Sequence, residues 1–492
     1  MSLIFRRFMA SASASSSTTI TLKPTPSKSH HHSPIPSSSF PKGYLLTGLH
    51  CGIKKKPGIP DLGLILSTSP HQTTAAACFT KNTFKAAPVL VSEHVLVKNG
   101  GKARAVVVNS GCANAVTGKQ GLKDAWAMVE ETDRLLPSSS ESTSSDQEHH
   151  TLVLSTGVIG QNLPISKIIA GIRSQTPSST TSTLSNDFAG WERAARAFMT
   201  TDTFPKLRAR TFKIGGVEYR MAGMDKGAGM IHPSMGPPRA SAGGQLHATL
   251  LGCILTDAPV SSKSLQSALT YAVERSFNSI SVDGEMSTND TILVLANGAA
   301  QDSSNAALKV EEIDEETNKE GYEVFKKELT EFAIDLAKLV VRDGEGATKF
   351  VTVTVKNAPT YPDAHRVASR ISTSALVKTA LYGEDANWGR ILSATGSVPL
   401  SSSPSGIPLE IDPKKVSVTF IPSDGSSPLP VLINGEPEKV DEARAKEILV
   451  KEDLEVEVDL GMEQVGEEEG LARYWTCDFS YEYVRINGDY RS

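Results

Sequence analysis

Apolar residues along the chain form short uninterrupted runs and short alternating runs, both typical of β-strands. The uninterrupted runs lie at 105–108, 152–154 and 292–295, and each is followed by polar and glycine residues. The pattern predicts buried strands that end in turns. Alternating runs at 350–355, 416–420 and 454–460 predict half-buried strands of the antiparallel kind.

Three further segments carry apolar residues at helical spacing. Leu265, Leu269 and Ala272 share one face with Phe277, a second series runs from Phe325 to Leu339, and a third runs from Phe188 to Phe198. The polar stretches 137–150 and 174–185 show no periodicity and are predicted to be loops. Strands and helices interleave without a strict βαβ order, which favours sheets with helices on their outer faces.

The composition limits the kinds of partner and of structural cross-link that we expect for this protein. The net charge is −5 and no basic block occurs, so nucleic acid is not expected as a partner. No apolar run has the ~18 residues of a membrane helix, so a membrane partner is not expected either. The five cysteines are scattered and contain no CxxC pair, which predicts neither a disulfide framework nor a metal site.

The amino terminus differs from the rest of the chain. It has no acidic residue before Asp61, carries Arg6 and Arg7 among apolar residues, and is rich in Ser, Thr and Pro from residue 11 to 39. This composition is typical of an organelle transit peptide, so residues 1–40 are predicted to be a disordered transit peptide. The alternative is a disordered tail without a targeting role.

A glycine-rich stretch precedes Thr249, a candidate nucleophile. Lys226-Gly227-Ala228-Gly229 does not have the spacing of a phosphate-binding P-loop. Further on, Thr249 follows the small residue Ala248, so its hydroxyl could attack the preceding carbonyl and cut the chain. The new α-amino group would then serve as the base for the same hydroxyl. By itself, this motif favours an ordinary strand or helix-cap threonine over a nucleophile.

Several long blocks give the chain a resemblance to the ornithine acetyltransferase family, also called glutamate N-acetyltransferases. The blocks occur in the family's order from about Gly43 to the last residue, at 199–206, 224–252, 281–290, 342–349 and 483–492. The resemblance implies a layered α/β/β/α sandwich of mixed sheets with outer helices. It also implies self-cleavage into an α chain, residues 41–248, and a β chain, residues 249–492.

The resemblance also implies roles for individual residues. Thr249 is the nucleophile, the cut lies between Ala248 and Thr249, and Thr156 and Gly157 form the oxyanion hole. The residues implied to contact substrate are Thr200, Lys226, Thr249, Glu345, Asn487 and Ser492. The choice of Thr200 over Thr201 rests on its spacing from Lys226 alone.

One departure from the family pattern lies next to the implied cut. Compact members pass almost directly from the His-Pro motif to Ala-Thr, whereas residues 236–247 intervene here. A flexible loop could still deliver Ala248-Thr249 to the same place, because added length changes the entropy of loop closure little. The insertion leaves the efficiency of self-cleavage open.

The implied activity is acetyl transfer from N-acetylornithine to glutamate in arginine biosynthesis, through an acetyl-Thr249 ester. Some family members also accept acetyl-CoA, which is therefore an alternative substrate. No cofactor and no metal are implied, and the cut chains are expected to form a heterotetramer. The transit-like start favours the mitochondrial matrix, with a plastid as the alternative. The rival functions are a self-processing amidase or aminopeptidase and a non-catalytic binding protein.

Overall fold

The strands are predominantly short and buried. The computed structural model describes residues 24–137, 148–176, 179–238, 250–302, 310–402, 406, 409–465 and 469–488. Its strands are β1 (Tyr44–Leu49), β2 (Leu62–Ser67), β3 (Thr74–Thr80), β4 (Ala105–Cys112), β5 (Thr151–Val158), β6 (Lys206–Ile214), β7 (Val217–Lys226), β8 (Met235–Gly236), β9 (Leu251–Thr256), β10 (Ile280–Ser281), β11 (Thr291–Ala296), β12 (Phe350–Lys356), β13 (Ser417–Pro422), β14 (Leu429–Ile433), β15 (Glu436–Pro437), β16 (Asp453–Asp459) and β17 (Ala472–Cys477).

The helices lie between these strands in the chain. They are α1 (Ala87–Lys98), α2 (Gly118–Asp133), α3 (Ile165–Arg173), α4 (Phe188–Phe198), α5 (Ser262–Glu274), α6 (Lys319–Arg342), α7 (Tyr361–Ser372), α8 (Ala375–Gly383), α9 (Trp388–Thr395), α10 (Glu442–Leu449) and α11 (Tyr481–Gly488). In the described part of the chain, no helix is long and apolar enough to cross a membrane.

The predicted helices are confirmed, and α4 illustrates why. The Asp187 carboxylate accepts a hydrogen bond of 2.9 Å from the Gly190 amide and caps the helix amino terminus. Trp191, Ala195 and Phe198 then lie at helical spacing and are fully buried. Helix formation and core packing therefore favour the same residues.

Three mixed sheets organise the strands. The first sheet has the order β1-β2-β4-β5, and the second has the order β6-β7-β9-β11-β3-β8. The third sheet has the order β10-β17-β12-β16-β13-β14-β15. The prediction of purely antiparallel neighbours for the alternating runs is wrong in one case, because β12 pairs with β16 in parallel and with β17 antiparallel. The chain between β12 and β16 is long enough for such a crossover.

The first two sheets stack face to face with helices outside them. In β5, Leu152 and Leu154 contribute to the core between the two sheets, whereas Val153 faces the outer core shared with α2 and α3. In β11, Leu293 and Leu295 join the same inner core, while Ile292 and Val294 pack towards α5 and α6. Both faces of these strands are buried, which is why their sequences are uninterrupted apolar runs. The predicted α/β/β/α sandwich is confirmed.

The described parts of the two predicted loops contain no helix or strand. Residues 138–147 of the first loop and 177–178 of the second lie outside the described residues. In the described residues after β12, the third sheet packs with helices α7 to α10 around a separate apolar core.

Candidate active site

Three of the predicted site residues lie outside the described residues. These are the nucleophile Thr249, its neighbour Ala248 and the carboxyl-terminal Ser492. Leu250, which is bonded to Thr249, is described and is completely buried at the start of β9. The site is therefore built from Leu250 and from the other predicted residues.

Thr156 and Gly157 lie near the end of β5 in the first sheet, and not in the turn that the pattern predicts. Gly157 has a φ of +124°, and a Cβ atom on it would lie 2.4 Å from the Gly111 carbonyl carbon of β4. Only glycine fits this contact without displacement of the backbone. The strand thus brings the Thr156-Gly157 peptide against β4 at the place where their register becomes irregular.

Lys226, the last residue of β7, joins the two stacked sheets. Its side chain is buried, and Nζ donates a hydrogen bond of 3.2 Å to Thr156 Oγ1. Lys226 also pairs in register with Leu251 of β9, two residues after Thr249. Burial lowers the pKa of Lys226, and Asp202, Asp290 and Glu345 oppose this shift. The structure thus brings together a predicted oxyanion-hole residue, a predicted substrate contact and the strand that follows the nucleophile.

A buried ion cluster of Lys206, Asp202 and Asp343 lies next to Lys226. Lys206 Nζ donates to Asp202 at 2.6 Å and to Asp343 at 2.7 Å, and all three side chains are almost completely inaccessible. Asp202 also accepts hydrogen bonds of 2.8 Å from the amides of Gly227 and Thr200. Burial would raise the pKa of Asp202, but Lys206 and Lys226 outweigh it and lower this pKa. The carboxylate therefore stays ionised and orients the backbone on both sides of the site.

The alternative threonine, Thr201, is exposed and lines a cavity of about 370 Å³ together with Glu345. Thr200 is held through its amide, as described above. The geometry gives both residues a place beside the cluster, so the predicted choice between them stays a prediction.

Glu345 and Asn487, two predicted substrate contacts, lie next to each other. Asn487 Nδ2 donates to Glu345 Oε2 at 2.7 Å, although the two residues are far apart in the chain. The Glu345 amide donates to the Ala228 carbonyl at 2.8 Å, and a Cβ atom on Gly229 would lie 2.4 Å from the Glu345 carboxylate. The glycine-rich stretch after Lys226 therefore serves close packing against Glu345.

The sequence analysis did not predict Asp290, which contacts Leu250, the residue after the proposed nucleophile Thr249. Asp290 Oδ1 accepts a hydrogen bond of 2.8 Å from the Leu250 amide, and its buried Oδ2 has no hydrogen-bond partner among the described residues. Burial raises the pKa of Asp290 to about 7, although the Leu250 amide and Lys226 act to lower it. Asp290, Asp202 and Asp343 all belong to blocks that carry the family resemblance, but the pattern does not show that they are buried.

We expect the stability of the protein to fall as pH rises from about 4 to about 7, in part because of Asp290. Its pKa is raised on folding, so the folded state binds more protons than the unfolded state in this interval. Asp290→Asn should come closest to the wild type in thermal unfolding midpoint below about pH 4, where the carboxyl is protonated in both the folded and the unfolded chain. At pH 8 the variant should be more stable, by up to about 4 kcal/mol. Equal midpoints at both pH values would contradict the assignment.

Comparison with known proteins gives a consistent result. The profile of the ArgJ family matches residues 45–492. The mitochondrial arginine biosynthesis bifunctional protein ArgJ of Laccaria bicolor is 74% identical over 460 residues, covering 93% of this chain and 94% of the relative. The protein of the same name from Coprinopsis cinerea is 71% identical, again over 93% of this chain and 94% of the relative.

One of the similar solved structures is a complex with a ligand. It is the ornithine acetyltransferase of Mycobacterium tuberculosis complexed with ornithine, which is 33% identical. The match covers 41% of this chain and 96% of that chain, with a TM-score of 0.32.

The protein is thus an enzyme of arginine biosynthesis, built on a layered sandwich with a buried lysine–threonine site between its first two sheets. The chain belongs to the ArgJ family. The predicted family is confirmed, and the mitochondrial location is confirmed by the close relatives.

Proposed function

We propose that the enzyme transfers an acetyl group from N-acetylornithine to glutamate, through an ester on Thr249. The observation that carries the proposal is the meeting of Lys226, Thr156 and the start of β9 within one buried site. Thr249 is covalently tethered to this start through Leu250. Family membership over residues 45–492 and the ornithine acetyltransferase motifs support the same chemistry.

The chain first cuts itself between Ala248 and Thr249. The Thr249 hydroxyl attacks the Ala248 carbonyl carbon, the peptide C–N bond breaks, and the hydroxyl proton passes to the departing nitrogen. Water then hydrolyses the resulting ester, which leaves Thr249 with a free α-amino group. This group has an ordinary pKa of about 7.7–8.0 and can accept the proton of the neighbouring hydroxyl. The products are an α chain that ends at Ala248 and a β chain, residues 249–492.

Acetyl transfer then takes place in two steps. Thr249 Oγ attacks the acetyl carbonyl of N-acetylornithine, the amide C–N bond breaks, and the released ornithine amine takes the proton. The amine of glutamate next attacks the acetyl ester and restores the Thr249 hydroxyl. Thr156 and Gly157 are the proposed donors to the oxyanion in both steps. One such donor is worth about 2.7–4 kcal/mol in other enzymes.

The charged residues of the site suit amino-acid substrates. The proposed substrate contacts are Thr200, Lys226, Glu345, Asn487 and Ser492. A substrate with both a carboxylate and an ammonium needs partners of both signs, and Lys226 and Glu345 are charges of opposite sign close enough to influence each other. Acetyl-CoA is proposed as an alternative acetyl donor, with no cofactor or metal. The cut chains are proposed to form a heterotetramer in the mitochondrial matrix.

An acceptor assay distinguishes the proposed transferase from a self-processing hydrolase. We expect purified enzyme given N-acetylornithine with an isotopically labelled acetyl group to place the label on glutamate. Release of labelled acetate alone, at a rate independent of glutamate, would indicate the hydrolase instead. A single uncut chain without turnover would favour a non-catalytic protein.

A further inference from the structure

The segment Lys28–Phe40, here called the amino-terminal segment, packs against the body of the protein. Its last residue, Phe40, is 2% exposed and stacks on Trp191 of α4, with ring centroids 4.6 Å apart. Its first residue, Lys28, is 5% exposed although it carries a charge. A segment that is merely removed after import needs no such complementary contacts, because it makes no contribution to the mature fold.

Between these ends the segment contacts residues of the proposed α chain. Arg208 donates to the His31 carbonyl at 2.9 Å, and Arg220 donates to the Ser38 carbonyl at 2.8 Å. His32 Nε2 lies 3.1 Å from Glu192 Oε1. The contacts therefore involve α4, β6 and β7, and β7 ends at the site residue Lys226.

The start of the segment contacts the proposed β chain. Lys28 Nζ forms an ion pair with Glu452, the residue that directly precedes β16. Residues 25–29 also line one side of the cavity that contains Thr201 and Glu345. The segment thus touches residues on both sides of the proposed cut, and its first two residues, Lys28 and Ser29, line this cavity.

We infer that Lys28–Phe40 is retained in the mature enzyme, that the import cut lies before Lys28, and that the segment adds a bridge between the two cleavage products, which also share the strands of the second sheet. The bridging role rests on the proposed cleavage at Ala248–Thr249, whereas retention of the segment does not. The physical reason is the pairing of a desolvated ammonium with a carboxylate of the other half. Removal of Glu452 takes the carboxylate partner from the buried Lys28 ammonium, which water cannot readily replace.

Mass spectrometry of the chain isolated from mitochondria tests retention. We expect the mature amino terminus at or before Lys28. A mature chain that begins at residue 41 or later would overturn the inference. The measurement reads the presequence end independently of the cut at Thr249, so failure of the proposed cleavage does not affect it.

A charge exchange tests the bridge. We expect Lys28→Glu and Glu452→Lys each to lower the thermal unfolding midpoint by several degrees, and the double variant to recover most of the loss. Ser33→Ala, at an exposed position of the same segment, should leave the midpoint unchanged. In cleaved protein, Lys28→Glu should also speed separation of the two chains in dilute denaturant. No recovery in the double variant, or equal separation rates with and without Lys28→Glu, would overturn the bridge.

Discussion

Thr249→Ala is expected to leave the protein as one uncut chain and to abolish acetyl transfer. Without the hydroxyl there is no nucleophile for the Ala248 carbonyl, and without the cut there is no α-amino group to act as a base. Loss of the nucleophile costs about 10⁶ in kcat in a serine protease, another enzyme that works through an acyl ester. Denaturing electrophoresis should show one band instead of two, and the acceptor assay should give no labelled N-acetylglutamate.

Thr249→Ser provides the matched control, because it retains a hydroxyl at the same position. We expect this variant to cut itself and to transfer acetyl groups at a reduced rate. If Thr249→Ala still splits in two and turns over normally, both the proposed cut and the proposed intermediate are wrong.

Gly157→Ala is expected to have the second largest effect. A methyl group there would overlap the Gly111 backbone at 2.4 Å, and the φ of +124° is unfavourable for any residue with a Cβ atom. The β5 strand end must move, and the proposed oxyanion donors move with it. We expect kcat to fall by about 10²–10³, the loss seen when one oxyanion donor is removed.

Gly160→Ala is the matched control for this substitution. Gly160 also has a positive φ, +76°, but a Cβ atom on it would meet nothing within 4 Å. This variant should lose a little stability and keep its kcat. If both alanine variants keep normal kcat, the Thr156-Gly157 strand end has no role in stabilising the oxyanion.

The buried strands and the helices follow from local patterns, for reasons visible in single elements. Strand β11 lies between two strands and has both faces covered, so its whole run of residues is apolar and can be read directly. The sequence predicts helix α4 with an end near Thr200, close to its observed end at Phe198, because its cap and its buried face both lie within a few residues. Parallel pairing of β12 with β16 was missed, because alternation records which face is buried and not which strand lies alongside.

By itself, the sequence determined the family and the strand runs, and the family resemblance predicted Thr156, Lys226, Glu345 and Asn487 as site residues. Only the tertiary structure decided that Lys226 meets Thr156, and that the Asp290 carboxylate accepts a hydrogen bond from the Leu250 amide. It also decided that Lys28 reaches Glu452. Burial and charge pairing depend on which distant segments pack together, and a composition that is typical of a disposable presequence does not reveal such contacts.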